Sequence, residues 1–280
     1  MRNFPPGTRV AYLGPPGTYS HAAARQWFDT KADWQPVADI QDVFGAVETG
    51  TADYGVVPVE NSNEGSVTAT LDGLSASPLG IEGELMLRIR HCLLAGAGTA
   101  RDAITRVVSH QQSLGQCRHW LASNLPGIER LAVSSNAEAA RLAAQQPGVV
   151  AIAGHAAAEL YSLTVLAESI EDCHNNTTRF LLLGQSAAAS PSGRDKTSLI
   201  ISTHNEPGTL FQALEPFQRF GVNLTKLESR PSRRAAWDYF FFVDVEGHVD
   251  DAAVRAALDA LQAHALDVKI LGSYPVAGQR

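Results

Sequence analysis

The sequence predicts an α/β protein with mostly parallel sheets, followed by a smaller domain of the ferredoxin-like βαββαβ type. Three observations support this. Short β-type runs alternate with helical segments over the first two thirds of the 280 residues. A stretch of small polar residues then interrupts the pattern, and a second, shorter alternation follows it. Strands that alternate with helices are typical of parallel sheets covered by helices on both faces.

The first domain begins with a β-type run over residues 9–13, which ends in a Gly-Pro turn and leads to a helix with Ser20 as its N-cap. Further helices are predicted over 40–48, 67–74, 113–123, 136–146 and 155–161. Apolar runs predict strands over 54–59, 84–89, 92–94, 106–108, 131–133 and 149–153.

The domain boundary is predicted from composition, because residues 185–195 are small, polar and contain proline and glycine. We place the first domain at 8–185, the linker at 186–195 and the second domain at 196–275. The second domain shows strands over 197–203, 223–230, 237–246 and 268–274, and helices over 208–220 and 250–264. This order is the ferredoxin-like one.

Composition and charge exclude several functional classes. The chain is 45% hydrophobic with a net charge of −7, so it has no basic surface suited to nucleic acid or to an anionic membrane. No apolar run has the length of a signal peptide or a membrane helix. The three cysteines form no Cys-x-x-Cys pair. We expect a cytoplasmic protein with no metal site and no nucleic-acid or membrane partner.

Four loops rich in hydroxyl, amide and glycine residues stand where a strand is predicted to lead into a helix. They cover residues 14–20, 60–66, 109–112 and 175–179. In open α/β sheets ligands bind at the carboxyl ends of strands, where free helix N–H groups favour anions. The loops therefore favour an anion-binding cleft over ordinary turns.

The motifs in these loops match a known enzyme family in order and spacing. They are Gly-Pro-Pro-Gly-Thr-Tyr-Ser at 14–20, Pro-Val-Glu-Asn-Ser at 58–62, Ser-His with Gln-Cys at 109–117, and Asn-Thr-Thr-Arg-Phe at 176–180. Together they resemble the prephenate dehydratase family, whose most characteristic tripeptide is Thr-Arg-Phe. The segments 205–210 and 223–231 resemble the ACT domain of that family, and the whole resemblance runs from about residue 10 to 274.

The resemblance implies two α/β lobes with a cleft between them, similar to bilobal periplasmic binding proteins, and a chain that crosses between the lobes twice. It also implies the monofunctional form, since the motifs begin almost at the first residue. Tyr19 stands where phenylalanine is usual in the family, Gln111 where proline often follows, and Thr209 where alanine is common.

The implied activity is the conversion of prephenate to phenylpyruvate, carbon dioxide and water. Aromatisation drives the reaction, so the protein must supply a donor to the leaving hydroxyl, contacts to two carboxylates, and exclusion of water. Such a reaction needs no metal or redox cofactor. The catalytic candidates are Thr178 as first choice of leaving-group donor, with Glu60, Asn61 and Gln116.

The predicted substrate-binding residues are Thr18, Ser20, Ser62, Ser109, Thr177 and Arg179. Three alternatives stay open at this point. Thr177 could replace Thr178 as the donor. Arg179 could clamp a carboxylate or form an internal salt bridge, and Glu60 could be a proton donor or the partner of an arginine.

The resemblance also implies allosteric inhibition by phenylalanine, enclosed between two ACT segments across a dimer interface. The predicted effector residues are Gly208, Thr209, Leu210, Asn223, Leu224, Glu228 and Ser229. We expect a homodimer or homotetramer. Two other functions remain possible from the sequence: arogenate dehydratase, with the same chemistry on the transaminated substrate, and a non-catalytic bilobal amino-acid sensor.

Overall fold

The computed structural model describes residues 4–28, 31–185, 190–231 and 239–278. Over these residues the chain forms two α/β lobes and a C-terminal domain, each built around its own sheet. The predicted α/β class, the two lobes and the ferredoxin-like second domain are confirmed. Within the described ranges no helix is long and apolar enough to cross a membrane.

Lobe 1 contains helices α1 (Tyr19–Trp27), α2 (Ile40–Glu48) and α3 (Thr68–Ala76), and strands β1 (Arg9–Leu13), β2 (Asp33–Val37), β3 (Tyr54–Asn61), β4 (Gly65–Ser66), β5 (Gly80–Arg88) and β11 (Thr177–Gly184). The strand order is β2-β1-β3-β11-β5, with β4 paired to β3. Helix α2 shows how sequence specifies this lobe. Asp39 and Asp42 form a capping box at its start, and its apolar stripe at residues 40, 43, 44 and 47 is buried.

Lobe 2 contains strands β6 (Cys92–Ala95), β7 (Arg106–His110), β8 (Glu129–Val133), β9 (Val149–Ala153) and β10 (Thr164–Ala167), helices α4 (Gln111–Gln116), α5 (Arg118–Asn124), α6 (Asn136–Gln145) and α7 (His155–Leu160), and a short 3₁₀ helix at Arg101–Ala103. The strand order is β10-β6-β9-β7-β8. Strand β9 is buried throughout, and the buried positions of α6 are all alanines, which allow the helix to lie close to the sheet.

The chain passes between the lobes twice, through residues 89–91 and again through residues 168–176. These two crossovers lie side by side. The N–H of Ile89 donates to the carbonyl of Asn176 at 2.9 Å, and the N–H of Ile170 donates to the carbonyl of His91 at 2.9 Å. The paired crossovers therefore bring loops of both lobes to one cleft.

Both lobe sheets are mixed rather than mostly parallel. Strand β1 is parallel to β2 and β3, but β11 is antiparallel to β3 and β5. In lobe 2, β7 is parallel to β8 and β9, whereas β6 is antiparallel to β9 and β10. Strand β11 runs opposite to its neighbours because it enters the lobe 1 sheet on the return from lobe 2. The prediction that residues 175–179 lead into a helix is wrong for the same reason, since Thr177 begins this strand.

The C-terminal domain contains β12 (Asp195–Ser202), α8 (Thr209–Arg219), β13 (Leu224–Pro231), β14 (Tyr239–Glu246), α9 (Ala252–Leu261) and β15 (Asp267–Pro275). Its antiparallel sheet has the order β13-β14-β12-β15. Residues 186–189 of the predicted linker and 237–238 of the predicted strand lie outside the described residues.

This domain is docked on lobe 1 by apolar packing. One face of its sheet is covered by α8 and α9, and on the other face Phe240 and Tyr274 share a core cluster with Phe44 of α2. The backbones also approach closely, because a Cβ at Gly272 would lie 2.2 Å from the carbonyl oxygen of Ile81. Lobe 1 and the C-terminal domain are thus parts of one packed unit.

Candidate active site

Two neighbouring recesses lie in the cleft between the lobes, with volumes of about 240 Å³ and about 830 Å³. They share five lining residues, Pro58, Asn61, Gln112, Gln116 and Thr178. Three of the four predicted catalytic residues therefore meet in one place, although they come from β3, α4 and β11.

Asn61 anchors a chain of hydrogen-bonded amides in this cleft. Its Oδ1 accepts the backbone N–H of Asn63 at 3.0 Å and that of Glu64 at 3.2 Å. Because only the carbonyl oxygen of the side chain can accept, these two donors fix the orientation of the amide. Its Nδ2 then donates to Asn176 Oδ1 at 2.7 Å and to Thr178 Oγ1 at 2.8 Å.

Asn176 transmits this orientation to lobe 2. With its Oδ1 occupied by Asn61, its Nδ2 donates to Gln116 Oε1 at 3.2 Å. The same Oε1 lies 2.9 Å from Nε2 of His91. Gln116 therefore directs its carboxamide nitrogen away from these partners and into the opening, where it donates to Glu64 at 3.3 Å. A ligand in the cleft would meet N–H groups here.

Strand alternation distinguishes Thr178 from Thr177. Successive side chains of a strand point to opposite faces. Thr178 lines both recesses, whereas Thr177 lines neither, and its Oγ1 lies 3.5 Å from the carbonyl of Asn175. Because Thr178 Oγ1 already accepts the Asn61 N–H, its own proton can be donated to a bound ligand. The geometry favours Thr178 as the donor.

The narrower recess presents helix N-termini to a ligand. Helices α1 and α6 begin there, and Tyr19, Ser20 and Asn136 line it. First-turn N–H groups lack intrahelical partners and carry the positive end of the helix dipole. In the described part of the chain no lysine or arginine lines either recess. Thr18 also lines the narrower recess, where its hydroxyl donates to the carbonyl of Leu13 and accepts from the N–H of His21.

Two predicted substrate contacts are placed elsewhere. Ser109 is fully buried, and its hydroxyl donates to the carbonyl of Ile152 at 2.7 Å. Its hydroxyl is thus directed toward strand β9 rather than the cleft. The next residue of the strand, His110, lines the wider recess instead. Ser62 donates to the carbonyl of Asn175 and accepts the N–H of Thr177, which ties its loop to the start of β11. Neither serine lines a recess.

Arg179 forms an internal salt bridge rather than a substrate clamp. It is 6% exposed and faces the C-terminal domain, with Nη1 2.6 Å from Asp244 and Nη2 2.9 Å from the hydroxyl of Tyr274. Its Nε lies 2.8 Å from Glu84 without hydrogen-bond geometry. Burial alone would lower its pKa, but Tyr274, Asp244 and Glu84 raise that pKa well above the usual value. The cation is held inside the protein.

Glu60 lies beside Arg179 in the sheet and also faces the C-terminal domain. Its carboxylate is 2.8 Å from Nζ of Lys226 on β13, which also donates to Ser66. It lines neither recess, so the geometry gives no support to its predicted role as proton donor. Its actual partner is a lysine of the other domain rather than an arginine.

Four further residues of the cleft belong to this hydrogen-bond network but were not predicted as site residues: Asn176, His91, Tyr19 and Glu64. Asn176 stands inside the motif at 176–180 and could have been chosen from it. His91 precedes an apolar strand and is 1% exposed. Nothing in the local sequence distinguishes it from a core histidine. Tyr19 and Glu64 are recognisable only once the partners of their polar groups are known.

The C-terminal domain contains a separate cavity of about 360 Å³ at the start of α8. Gly208 caps this helix with φ +86°, a conformation that favours glycine. Ser229 pairs with Phe241, which lines the cavity, whereas Asn223 and Leu224 lie at the opposite end of β13. Within one chain the two predicted effector segments therefore do not meet. The predicted residues that line the cavity are Gly208, Thr209 and Leu210.

The fold and the cleft define a class: a bilobal α/β protein with a polar cleft between its lobes and a docked ferredoxin-like domain. The prephenate dehydratase profile matches residues 10–188, and the ACT domain profile matches residues 197–263. The chain belongs to the prephenate dehydratase family.

Similar proteins support this assignment. A bifunctional chorismate mutase/prephenate dehydratase of Stutzerimonas stutzeri is 49% identical over 96% of this chain and 73% of its own length. The structure of prephenate dehydratase from Arthrobacter aurescens in complex with L-phenylalanine has a TM-score of 0.89 and 35% identity, covering 96% of this chain and 90% of that one. A structure described as GqqA, a novel type of quorum quenching acylase, has a TM-score of 0.88 and 31% identity, covering 96% and 98%.

Proposed function

We propose that this protein is a prephenate dehydratase, which converts prephenate to phenylpyruvate, carbon dioxide and water. The observation that carries the proposal is the hydroxyl of Thr178. It lies in the interlobe cleft with its oxygen occupied by Asn61 and its proton available to a ligand. A leaving hydroxyl needs such an oriented donor.

The chemistry follows from this arrangement. The bond between the ring and its carboxylate breaks, its electron pair enters the ring, and the C–O bond to the hydroxyl breaks at the opposite carbon. The departing oxygen gains negative charge and leaves as water once it has taken up a proton, which comes from the solvent because the reaction consumes one proton overall. A threonine hydroxyl is too weakly acidic to supply that proton alone, so Thr178 stabilises the departing oxygen by a hydrogen bond that strengthens as the charge develops.

The two carboxylates of the substrate require neutral donors in this cleft. The N-termini of α1 and α6 and the carboxamide of Gln116 provide N–H groups on both sides of the narrower recess. Donors of this kind bind an anion while leaving it free to lose carbon dioxide, because no ion pair holds the carboxylate charge in place. The ring would lie against Pro58 and Phe180, which also line this recess.

The test is incubation of the purified chain with prephenate and, separately, with arogenate. Formation of phenylpyruvate from prephenate supports the proposal, and formation of phenylalanine from arogenate alone would assign arogenate dehydratase instead. No product from either would favour the non-catalytic sensor. The variant Gln116→Leu should lower turnover, whereas Gln145→Leu, at the far end of α6, serves as a control for an amide outside the cleft.

We infer that phenylalanine inhibits the enzyme by binding to the C-terminal cavity. The complex of the Arthrobacter aurescens protein with L-phenylalanine supports this, as do the N–H groups at the start of α8. The contacts of Arg179 suggest a route to the cleft. Asp244 and Tyr274 belong to the regulatory sheet, and Arg179 directly follows Thr178. A ligand that shifts this sheet would move the catalytic strand.

Gly208→Val tests the inferred regulatory site. A Cβ at Gly208 would have no neighbour within 4 Å, so valine causes no clash, but the positive φ strains the backbone there, and a thermal melt checks that the variant folds. Phenylalanine affinity, measured by calorimetry, should fall about tenfold or more, which corresponds to roughly 1.4 kcal/mol. Gly221→Val is the matched control, since Gly221 also has a positive φ and open space. Unchanged binding in Gly208→Val, or no binding to the unmodified protein, would remove the cavity from the mechanism.

We propose a cytoplasmic homodimer or homotetramer formed through the C-terminal domains. The support is geometric: Asn223 and Leu224 can approach the Gly208 loop only from a second chain, since they lie at the far end of β13 in their own. Light scattering of the intact protein tests this, and a monomer at all concentrations would contradict it.

A further inference from the structure

His91 connects the two crossovers between the lobes. It lies in the first crossover and is 1% exposed. Its backbone N–H donates to Oε2 of Glu171 in the second crossover at 2.8 Å, and its carbonyl accepts the N–H of Ile170. These two bonds fix the backbone of His91 between the paired crossovers.

The ring of His91 joins one residue of each lobe. Nδ1 lies 2.9 Å from the hydroxyl of Tyr19 in α1, and Nε2 lies 2.9 Å from Oε1 of Gln116 in α4. The rings of His91 and Tyr19 also pack edge to face at 5.7 Å. Any change in the spacing between the lobes at this point must alter one of these contacts.

The hydrogen bonds specify which nitrogen carries the proton. The backbone N–H groups of Asn63 and Glu64 orient Asn61, which orients Asn176, which in turn presents its N–H₂ to Gln116. Gln116 must then offer its oxygen to His91, so Nε2 carries a proton. The hydroxyl of Tyr19 donates to the carbonyl of Arg90 at 2.8 Å and lies 2.9 Å from Nδ1, so its one proton is shared between these two acceptors when Nδ1 is unprotonated.

We propose that His91 is a positioning residue of the dehydratase reaction: as the neutral Nε2–H form it holds the carboxamide of Gln116 so that the N–H₂ group faces the substrate. This rests on the proposed function, because Gln116 is assigned there to the substrate. His91 itself lines the narrower recess behind Gln116 and acts through it. Burial also lowers the pKa of His91, which favours the neutral ring.

A double-mutant cycle on turnover of prephenate tests the proposal. His91→Leu should lower kcat about tenfold or more, and Gln116→Leu should do so as well. In the Gln116→Leu background, His91→Leu should change kcat by less than about twofold, because coupled residues are not additive. His91→Gln, which keeps an N–H donor, should recover part of the loss. His264→Leu, an exposed histidine of the C-terminal domain, should keep normal turnover.

A second readout does not depend on activity. The ¹⁵N shifts of the His91 ring at neutral pH should show a protonated Nε2 and an unprotonated Nδ1 in the intact protein. The proposal would be overturned if the ring carries its proton on Nδ1. It would also be overturned if the kcat losses of His91→Leu and Gln116→Leu multiply in the double variant. If the unmodified protein forms no phenylpyruvate, the proposed function fails instead, and the ring spectrum still decides the orientation of Gln116. Thermal melts of each variant identify losses that come from unfolding.

Discussion

Replacing Thr178 by valine removes one hydroxyl from the cleft and keeps the β-branched shape that strand β11 requires. Thr178 is 8% exposed, so the added methyl group stays in contact with protein atoms. Among the described residues the hydroxyl makes one hydrogen bond, which it accepts from Nδ2 of Asn61 at 2.8 Å. The substitution therefore tests the loss of the hydroxyl donor without a change in the packing around it.

The structure sets the size of the expected effect. Loss of one oriented donor to a charge that develops in the transition state costs about 10²–10³ in kcat, or about 3–4 kcal/mol. The folded state loses less, because Asn61 keeps its bond to Asn176 and only one N–H is left without a partner. A buried unpaired group of this kind costs about 1–3 kcal/mol. KM should change little, since the bond matters only as the oxygen departs.

Turnover is measured as phenylpyruvate formed at saturating prephenate, with a denaturant melt on the same preparations. Thr177→Val is the matched control, because it removes the neighbouring hydroxyl that points away from the recess, and Thr178→Ser should recover part of the rate. The reasoning is refuted if Thr178→Val keeps kcat within about threefold of the original, or if Thr177→Val loses as much.

Three further outcomes are expected. Arg179→Leu should lower the free energy of unfolding by about 3–5 kcal/mol, because it leaves the buried carboxylate of Asp244 without a cationic partner, whereas Glu84 keeps Lys196; an unchanged denaturant midpoint would contradict this. Native protein should be alkylated only at exposed Cys173, because burial raises the pKa of Cys92 to about 11 and that of Cys117 still further. Mass spectrometry that detects alkylation of a second cysteine before unfolding would contradict this. Burial lowers the pKa of His91, so the unfolded chain binds the imidazole proton more tightly than the folded protein does. Stability should therefore fall as the pH drops below about 6.5. Melts of His91→Asn should depend less on pH, and equal pH slopes for the variant and the unmodified protein would argue against this.

Much of the fold was predictable because it depends on local patterns. The capping box and apolar stripe of α2, the buried run of β9 and the order of the C-terminal elements are all legible in the sequence. The direction of β11 was not, since it depends on the return of the chain from lobe 2. A strand pairing between Thr178 and Asn61, which are 117 residues apart, leaves no local trace.

The sequence by itself determined the α/β class, the family and the presence of Thr178, Asn61 and Gln116, because these follow from periodicity and from motifs whose residues are close together in the chain. Only the tertiary structure decided what each polar group faces. Alternation along β3 and β11 points Asn61 and Thr178 into the cleft, and turns Glu60 and Arg179 toward the regulatory domain. Motif membership cannot distinguish these two faces, because the direction of a side chain depends on the sheet that its strand joins and on the domain packed against it.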